Sequence, residues 1–307
     1  MVVPDARVRA TAGNEGTNII MNLREYDISH PYTATLLTTD RITPAESEAE
    51  VRHLVLEIPD CDFDYYEGQS IGVLAPGPHE FGNRHHLRLY SIANPRGGEA
   101  GTPDRISICV RRCFSIDDIS GERYPGRASN FLCDAKPGDS IEVVGPFGVP
   151  FHIPKDKTAN LLMVGVGTGI APFRALVRHI YELHRGWKGS VRLFYGAQTG
   201  MELLYLNDVR KDLGLYYDDK SFKAFAAISP RPHFDVPPAL EETLTDHKQE
   251  IWEMIQNPKT HVYVGGLMDA NKKFQKAMCA AAGSEQNWID IRASLIASDR
   301  YDELLYE

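Results

Sequence analysis

No stretch of this sequence reaches the roughly 18 consecutive apolar residues of a membrane span, and its N-terminus has no basic flank leading into an apolar core. The chain is therefore expected to be soluble, unexported and cytoplasmic. Cysteine is scarce: five residues, at positions 61, 109, 113, 133 and 279, with no CxxC pair among them. A bound iron–sulfur cluster needs cysteine ligands at short fixed spacings, so no metal site is assigned and any cluster belongs to a partner. The thiols are expected to be free and mostly buried. An excess of positive charge is missing too, since 33 Lys and Arg stand against 42 Asp and Glu, a formal net charge of −9. Neutralising a phosphate backbone needs a basic face, so a nucleic-acid partner is excluded. There is no internal repeat and no low-complexity tract.

What is present is the composition of a soluble globular protein, 43% hydrophobic and 24% charged over 307 residues, long enough for two domains. From about Tyr32 to Gly148, short β-branched and aromatic runs are punctuated by Gly, Pro and Asn. "YTATLLTTDRIT", "VRHLVLEI", "SIGVLAP", "LRLYSIAN", "RISICVRR" and "SIEVVGPFG" read as six strands with no long helix between most of them, the pattern of an antiparallel β-barrel. After "FHIPKDKTAN" the rhythm changes. "LLMVGVG", "VRLFYGAQ", "FKAFAAIS" and "HVYVGG" are near-continuous apolar strands, each followed by a helical pattern, which predicts a parallel-sheet α/β domain. The expected organisation is an N-terminal extension over residues 1–30, a barrel domain over 31–150 and an α/β domain over 151–307.

Three segments carry candidate chemistry. In "LLMVGVGTGIAPFRAL", a strand runs into glycines 165, 167 and 169 and then a helix with Pro172 in its first turn, where a missing N–H does no harm. Such a turn can hold a phosphate, although Ile170 departs from GxGxxG and a tight strand-to-helix turn explains it equally. In "PGRASNFLCDAKPGD", Ser129 stands where an N-cap would, ahead of a short helix "NFLCDA" that ends before Pro137-Gly138. The helix start offers N–H groups and a positive dipole to an anion, with plain capping as the alternative. In "RLYSIANPRGG", strand alternation puts Arg88 and Tyr90 on one face and Leu89 and Ser91 on the other. Arginine can grip a phosphate while the tyrosine ring lies on a planar ligand.

In this order, "EGQSIGV", "RLYSIA", "ICVRR", "SNFLCDAKPGD", "GPFG", "GVGTGIAPFRAL", "YGAQTGMELLY" and "YVGGL" resemble the plant-type ferredoxin–NADP reductase family over about Pro31 to Tyr306. The resemblance implies an FAD-binding barrel domain, an NADP- or NAD-binding α/β domain, and a flavoprotein oxidoreductase active in electron transfer. Nicotinamide C4 would deliver hydride to flavin N5, and electrons would leave singly to an acidic carrier such as ferredoxin or flavodoxin. By the same resemblance Arg88 would hold the FAD pyrophosphate, Leu89 and Tyr90 would pack on the cofactor, and Ser91 would bond near N5. Cys109, Val110 and Arg111 would lie along it, and Ala128, Ser129 and Asn130 would meet its phosphates. Gly167, Thr168, Gly169, Ala197, Gln198, Ser229, Arg231, Gly266 and Leu267 would line the dinucleotide path, with Thr168 between the two rings. Ser91, Thr168 and Glu303 are the implied catalytic groups, Glu303 standing for the family's C-terminal carboxylate and Tyr306 for its terminal aromatic.

The sequence departs from that family at three places. Gly265-Gly266-Leu267 replaces a common Cys-Gly-Leu, and Tyr306 is penultimate where the family often ends on its aromatic. At the 2′-phosphate site, Ser229 is followed by Pro230 and a displaced Arg231. Aligning Trp252 with the family's tyrosine puts Thr243 and His247 at the remaining positions, beside Glu241 and Glu242. Carboxylates repel a 2′-phosphate and accept bonds from a ribose diol, which makes NADH a serious candidate. Between Arg84 and Arg112 six arginines stand against Glu99 and Asp104, a local +4 that would steer an acidic partner. Two alternatives remain at this stage: the reductase component of an oxygenase, with benzoyl-CoA oxygenase reductases as the nearest type, and an electron-transfer subunit of a larger complex. Oligomeric state is not legible.

Overall fold

The structure is a computed structural model that describes residues 9–10, 19–20, 23–59, 63–77, 84–117, 119–216, 221–228 and 239–306. Two short strands, β1 (Arg9–Ala10) and β2 (Ile19–Ile20), pair antiparallel ahead of the first large sheet. That sheet is built from β3 (Tyr32–Arg41), β4 (Val51–Glu57), β5 (Ser70–Pro76), β6 (His85–Ser91) and β7 (Arg105–Arg111). A hairpin of β8 (Phe114–Ile116) and β9 (Arg123–Pro125) follows, then helix α1 (Arg127–Asp134) and β10 (Ser140–Phe147). The six long strands run antiparallel in the order β6-β5-β10-β3-β4-β7, and a backbone bridge between Ile92 and Ile108 joins the two ends of the sheet. Closure removes the unpaired edges of an open sheet. Alternating residues such as Leu36, Leu54, Leu56, Ile71, Val73 and Val143 fill the interior, with Leu132 and Cys133 of α1 packed among them.

The second sheet comprises β11 (Asn160–Val166), β12 (Val191–Ala197), β13 (Phe222–Ile228), β14 (Thr260–Leu267) and β15 (Tyr301–Tyr306), all parallel in the order β13-β12-β11-β14-β15. Helix α2 (Ala171–Arg178) covers one face. Helices α3 (Ala239–Asp246), α4 (Lys248–Gln256), α5 (Met268–Ala282) and α6 (Glu285–Ala297) cover the other. Strand order reverses at β11, which opens a crevice beyond the carboxyl ends of β11 and β14. Backbones meet closely there: a Cβ on Gly169 would stand 2.5 Å from Gly266 Cα, and one on Gly165 would stand 2.8 Å from the Phe173 ring. Only glycine permits that approach.

The six barrel strands and the first four parallel strands lie where the pattern places them. The sequence pattern missed β15 and the β8–β9 hairpin. Residues 301–306 look like a tail and become a strand only because β14 presents an open edge. After β12 the chain makes 3₁₀ turns at Gly200–Glu202 and Leu213–Tyr216 where a helix was expected. Cys109 and Cys133 are buried free thiols as expected, whereas Cys113 is exposed.

The two sheets are locked together by ion pairs. Arg174 of α2, 2% exposed, binds Glu99 from the barrel side at 2.9 and 3.0 Å, Asp212 from the α/β side at 2.7 Å, and the Ala93 carbonyl at 2.7 Å. Arg178, one turn on, binds Glu99 at 2.8 Å. His179 meets the fully buried Glu67 at 2.7 Å, and Arg96 holds the other Glu67 oxygen at 2.9 Å. Burial would raise the Glu67 carboxyl, but the bonds from His179 and Arg96 overrule it and hold it at about 2 against an ordinary 4.5. Removing one member of a buried charge network leaves its partners uncompensated at a cost of about 3–5 kcal/mol. Arg174→Met should therefore lower unfolding stability by that amount in a denaturant titration, and a loss below ~1 kcal/mol would show that Glu99 and Asp212 find other partners.

Candidate active site

A cavity of about 440 Å³ opens along the seam between the barrel and the crevice of the parallel sheet. Strand β6 supplies its floor, with Arg88, Leu89, Tyr90 and Ser91 all on the lining. From β7 come Cys109 and Arg111, and from the first turn of α1 come Ala128 and Ser129. Across the seam, Thr168 stands in the glycine turn after β11, and Leu304, Leu305 and Tyr306 stand at the end of β15. Tyr306 reaches over the cavity to Thr168, hydroxyl to hydroxyl at 2.9 Å, and burial pushes its phenol up to about 12. Tyr195 donates to the Gly167 carbonyl at 2.8 Å and so steadies that turn, whose Gly167 has φ +53. Burial also raises the Tyr90 phenol, which stays neutral against whatever it packs on.

The electrostatics are one-sided. Arg88, Arg111, Arg127 and His86 line the cavity, and no carboxylate stands among the described lining residues. Helix α1 begins at Arg127, three residues before the expected start, and no side chain caps it. Ser129 is therefore not the N-cap: its hydroxyl accepts from the Cys113 N–H at 3.1 Å and donates to the Gly126 carbonyl at 3.3 Å. The α1 N-terminus thus keeps its positive end for an anion.

Other expected site residues lie beside the cavity. Val110 is buried in the barrel interior. Asn130 ties the hairpin to α1 through the Cys113 carbonyl at 2.9 Å and the Gly126 carbonyl at 2.8 Å. Gly169, Ala197, Gln198, Gly266 and Leu267 sit at or just beyond the carboxyl ends of β11, β12 and β14, on the crevice side. Ser229 and Arg231 lie outside the described residues. Glu303 is turned away from the cavity: Arg292 holds it at 2.6 Å and Asn271 at 3.3 Å among the helices, with its side chain 5% exposed. Strand β15 instead brings Leu304 and Tyr306 to the lining.

The described part of the expected 2′-phosphate site lies along α3 and α4. Helices α3 and α4 run from the crevice end back along the sheet. His247 packs against the Phe225 ring at 4.5 Å and pairs with Glu250 at 3.6 Å, so it and Trp252 lie below the crevice. Glu241 is engaged by Lys276 at 2.5 Å, while Glu242 is exposed. Of the arginines in the local +4 span, Arg96 is paired with Glu67, Arg105 with Glu57, and Arg112 with Glu50 and Asp134, so much of that charge is spent internally. Sequence reasoning missed Ser70, His86, Phe114 and Arg127. The hairpin was the missing signal, because it folds Phe114 and Pro125 over one end of the cavity.

A site that joins Arg88, Arg111, Arg127 and the N-terminus of α1 with the rings of Tyr90 and Tyr306 fits the diphosphate and planar ring of FAD. The family described as Oxidoreductase NAD-binding domain matches residues 163–276. The leaf isozyme 1 chloroplastic ferredoxin–NADP reductase of Arabidopsis thaliana is 32% identical over 309 residues, covering 99% of this chain and 84% of that protein. The ferredoxin–NADP reductase of a Spirulina species is 32% identical over 291 residues, covering 93% and 98%. Among solved structures, the ferredoxin–NADP⁺ reductase of Plasmodium falciparum superposes with a TM-score of 0.71 at 19% identity, over 92% of this chain and 98% of that one, a likeness of fold. At this level of identity over nearly its whole length, the chain belongs to the ferredoxin–NADP reductase family.

Proposed function

We propose that the protein is an FAD-dependent ferredoxin–NAD(P) reductase in which Arg88 and the start of α1 hold the cofactor's diphosphate and Ser91 and Thr168 flank the reacting edge. The observation that carries the proposal is the cation-lined cavity, which runs into the crevice at the Thr168–Tyr306 contact. Bound FAD would convert a two-electron hydride from the nicotinamide into single electrons for ferredoxin or flavodoxin. The protein's part is placement. Tyr90 and Leu89 give the ring a flat apolar bed, and Tyr306 keeps water off the opposite side. Gly169 and Gly266 pack backbone on backbone, since a Cβ on Gly169 would stand 2.5 Å from Gly266 Cα and one on Gly266 2.9 Å from the Val166 carbonyl, and this packing holds the turn that carries Thr168. Arg111 lies at the rim, 3.6 Å from Glu202, where it can meet the nucleotide's phosphates.

No helix among the described residues is long and apolar enough to cross a membrane. We place the protein in the cytoplasm, in keeping with the free thiols at Cys109, Cys113, Cys133 and Cys279. With Arg96, Arg105, Arg111 and Arg112 of the Arg84–Arg112 span each within reach of a carboxylate, an acidic electron carrier would be met chiefly by the cations around the cavity mouth.

The purified protein is expected to be yellow, with one FAD. A charge-assisted bond to phosphate is worth a factor of about ten to a hundred in affinity, so Arg88→Ala should weaken FAD retention by that factor in ultrafiltration titrations. Release of FMN, or of no flavin, from the unfolded protein would overturn the proposal. Ser91→Ala should keep FAD and slow flavin reduction by ~10²-fold in stopped flow, the scale for losing a positioned proton-handling group. An unchanged rate would remove Ser91 from the mechanism.

Nucleotide choice rests on Ser229 and Arg231 set against Glu242, with Glu241 already engaged. One arginine–phosphate contact opposed by one nearby carboxylate leaves a small balance, so NADH should reduce the flavin within about tenfold of NADPH. An NADPH preference above about a thousandfold would mean that Arg231 or another cation reaches the 2′-phosphate unopposed.

A further inference from the structure

Arg111, at the end of β7, is met by a carboxylate from the other half of the protein. Glu202 ends the 3₁₀ turn Gly200–Glu202 beyond β12, and its Oε2 stands 3.6 Å from the Arg111 guanidinium across the seam. No other carboxylate among the described residues comes within ion-pair reach of Arg111. The two side chains differ in setting. Arg111 is on the cavity lining with 44% of its side chain exposed, whereas Glu202 is 13% exposed and is not part of the lining. The backbone of Glu202 is fixed, its N–H donating to the Thr199 carbonyl at 3.0 Å and its carbonyl accepting from the Leu204 N–H at 2.9 Å. The Tyr195 hydroxyl, which bonds the Gly167 carbonyl at 2.8 Å, lies 3.4 Å from the Glu202 carbonyl. The carboxylate is thus carried on a turn seated beside the glycine turn.

This pair is unlike the ion pairs that lock the two halves. Arg174 and Arg178 reach Glu99 at 2.8 to 3.0 Å and are largely buried. At 3.6 Å, Arg111 and Glu202 attract one another without a hydrogen bond, and a partly exposed pair of this kind adds little to stability. The guanidinium therefore keeps its N–H donors for an anion, while the charge on the shielded carboxylate is screened less than that on an exposed one. A diphosphate arriving at Arg111 meets one cation and one competing anion.

We propose that Glu202 sets the affinity for the nicotinamide nucleotide by competing with its diphosphate for Arg111. The proposal rests on the functional reading above. In the empty crevice the carboxylate faces the guanidinium; when NADH or NADPH binds, the diphosphate takes the guanidinium's donors and Glu202 is left opposing it. Affinity for the diphosphate is shared by substrate and transition state, so it does not speed hydride transfer. Glu202 holds that affinity down and lets the oxidised nucleotide leave. Because the diphosphate is common to both nucleotides, Glu202 acts equally on each and independently of the 2′-phosphate.

Glu202→Gln removes the charge and keeps the shape. In the FAD-loaded protein it should lower the KM for NADH and for NADPH by the same factor, about three- to tenfold at low salt, the scale of one partly screened charge. Competitive inhibition by ADP, which carries a diphosphate and neither a nicotinamide nor a 2′-phosphate, should tighten likewise, and Glu202→Ala should act in the same direction. The gain should fade as salt approaches about 1 M, where the screening length is ~3 Å. On an Arg111→Ala background Glu202→Gln should gain less than it does alone, because no guanidinium is left to release. An unchanged or raised KM in Glu202→Gln, a gain confined to NADPH, a gain that high salt leaves intact, or an equal gain without Arg111 would each overturn the proposal. A wild-type protein that holds no flavin, or whose flavin neither nucleotide reduces, would instead overturn the functional reading, before any variant is compared.

Discussion

One guanidinium sets the relation between the two halves of this protein. Arg174 is buried with its charge, and an arginine cannot shed that charge on burial as a lysine or histidine can. It must be met on every side, and it is met by Glu99 and the Ala93 carbonyl from the barrel and by Asp212 from the α/β half. Because Arg174 is on α2, the helix that starts just after the glycine turn, fixing it fixes Thr168 against Ser91. Arg178 and His179 extend the lock along α2 to Glu99 and Glu67. The cavity along the seam is therefore a product of the interface, lined from both halves.

The protein carries a net charge of −9 and yet builds a cavity whose charged lining is cationic. It does so by spending its other arginines. Arg96, Arg105 and Arg112 answer carboxylates around the barrel and Arg111 stands 3.6 Å from Glu202, while Arg88, Arg111 and Arg127 give the cavity lining its positive charge beside the start of α1. An anionic cofactor would be drawn to that cationic lining.

The far end of the cavity is defined by what it omits. Gly265 lacks the thiol common in the family and Glu303 is occupied by Arg292, while Ser91, Thr168 and Tyr306 bring hydroxyls and Cys109 a thiol to the described lining. Close packing of Gly169 on Gly266 holds the turn that carries Thr168 against the end of β14. Placement, more than proton exchange, is what this wall offers the reaction.

The sequence by itself determined the two sheets, because a period of two and continuous apolar runs are local signals that survive without tertiary context. It also determined the RLYS strand and the glycine turn, since each needs particular residues within a few positions. It was misleading where an element depends on its neighbour. Residues 301–306 are a strand only beside β14, and the direction in which Glu303 points is decided by that pairing. Ser129 looked like a cap, yet the helix starts earlier, and the backbone of Cys113, just ahead of β8, engages the Ser129 hydroxyl and the Asn130 amide instead. The contacts that make the site lie beyond any local pattern: Glu99 and Arg174 are 75 residues apart, and His53 and Tyr205 are 152 apart. Their meeting is set by how two separately legible folds bury charge against each other, which only the tertiary structure decides.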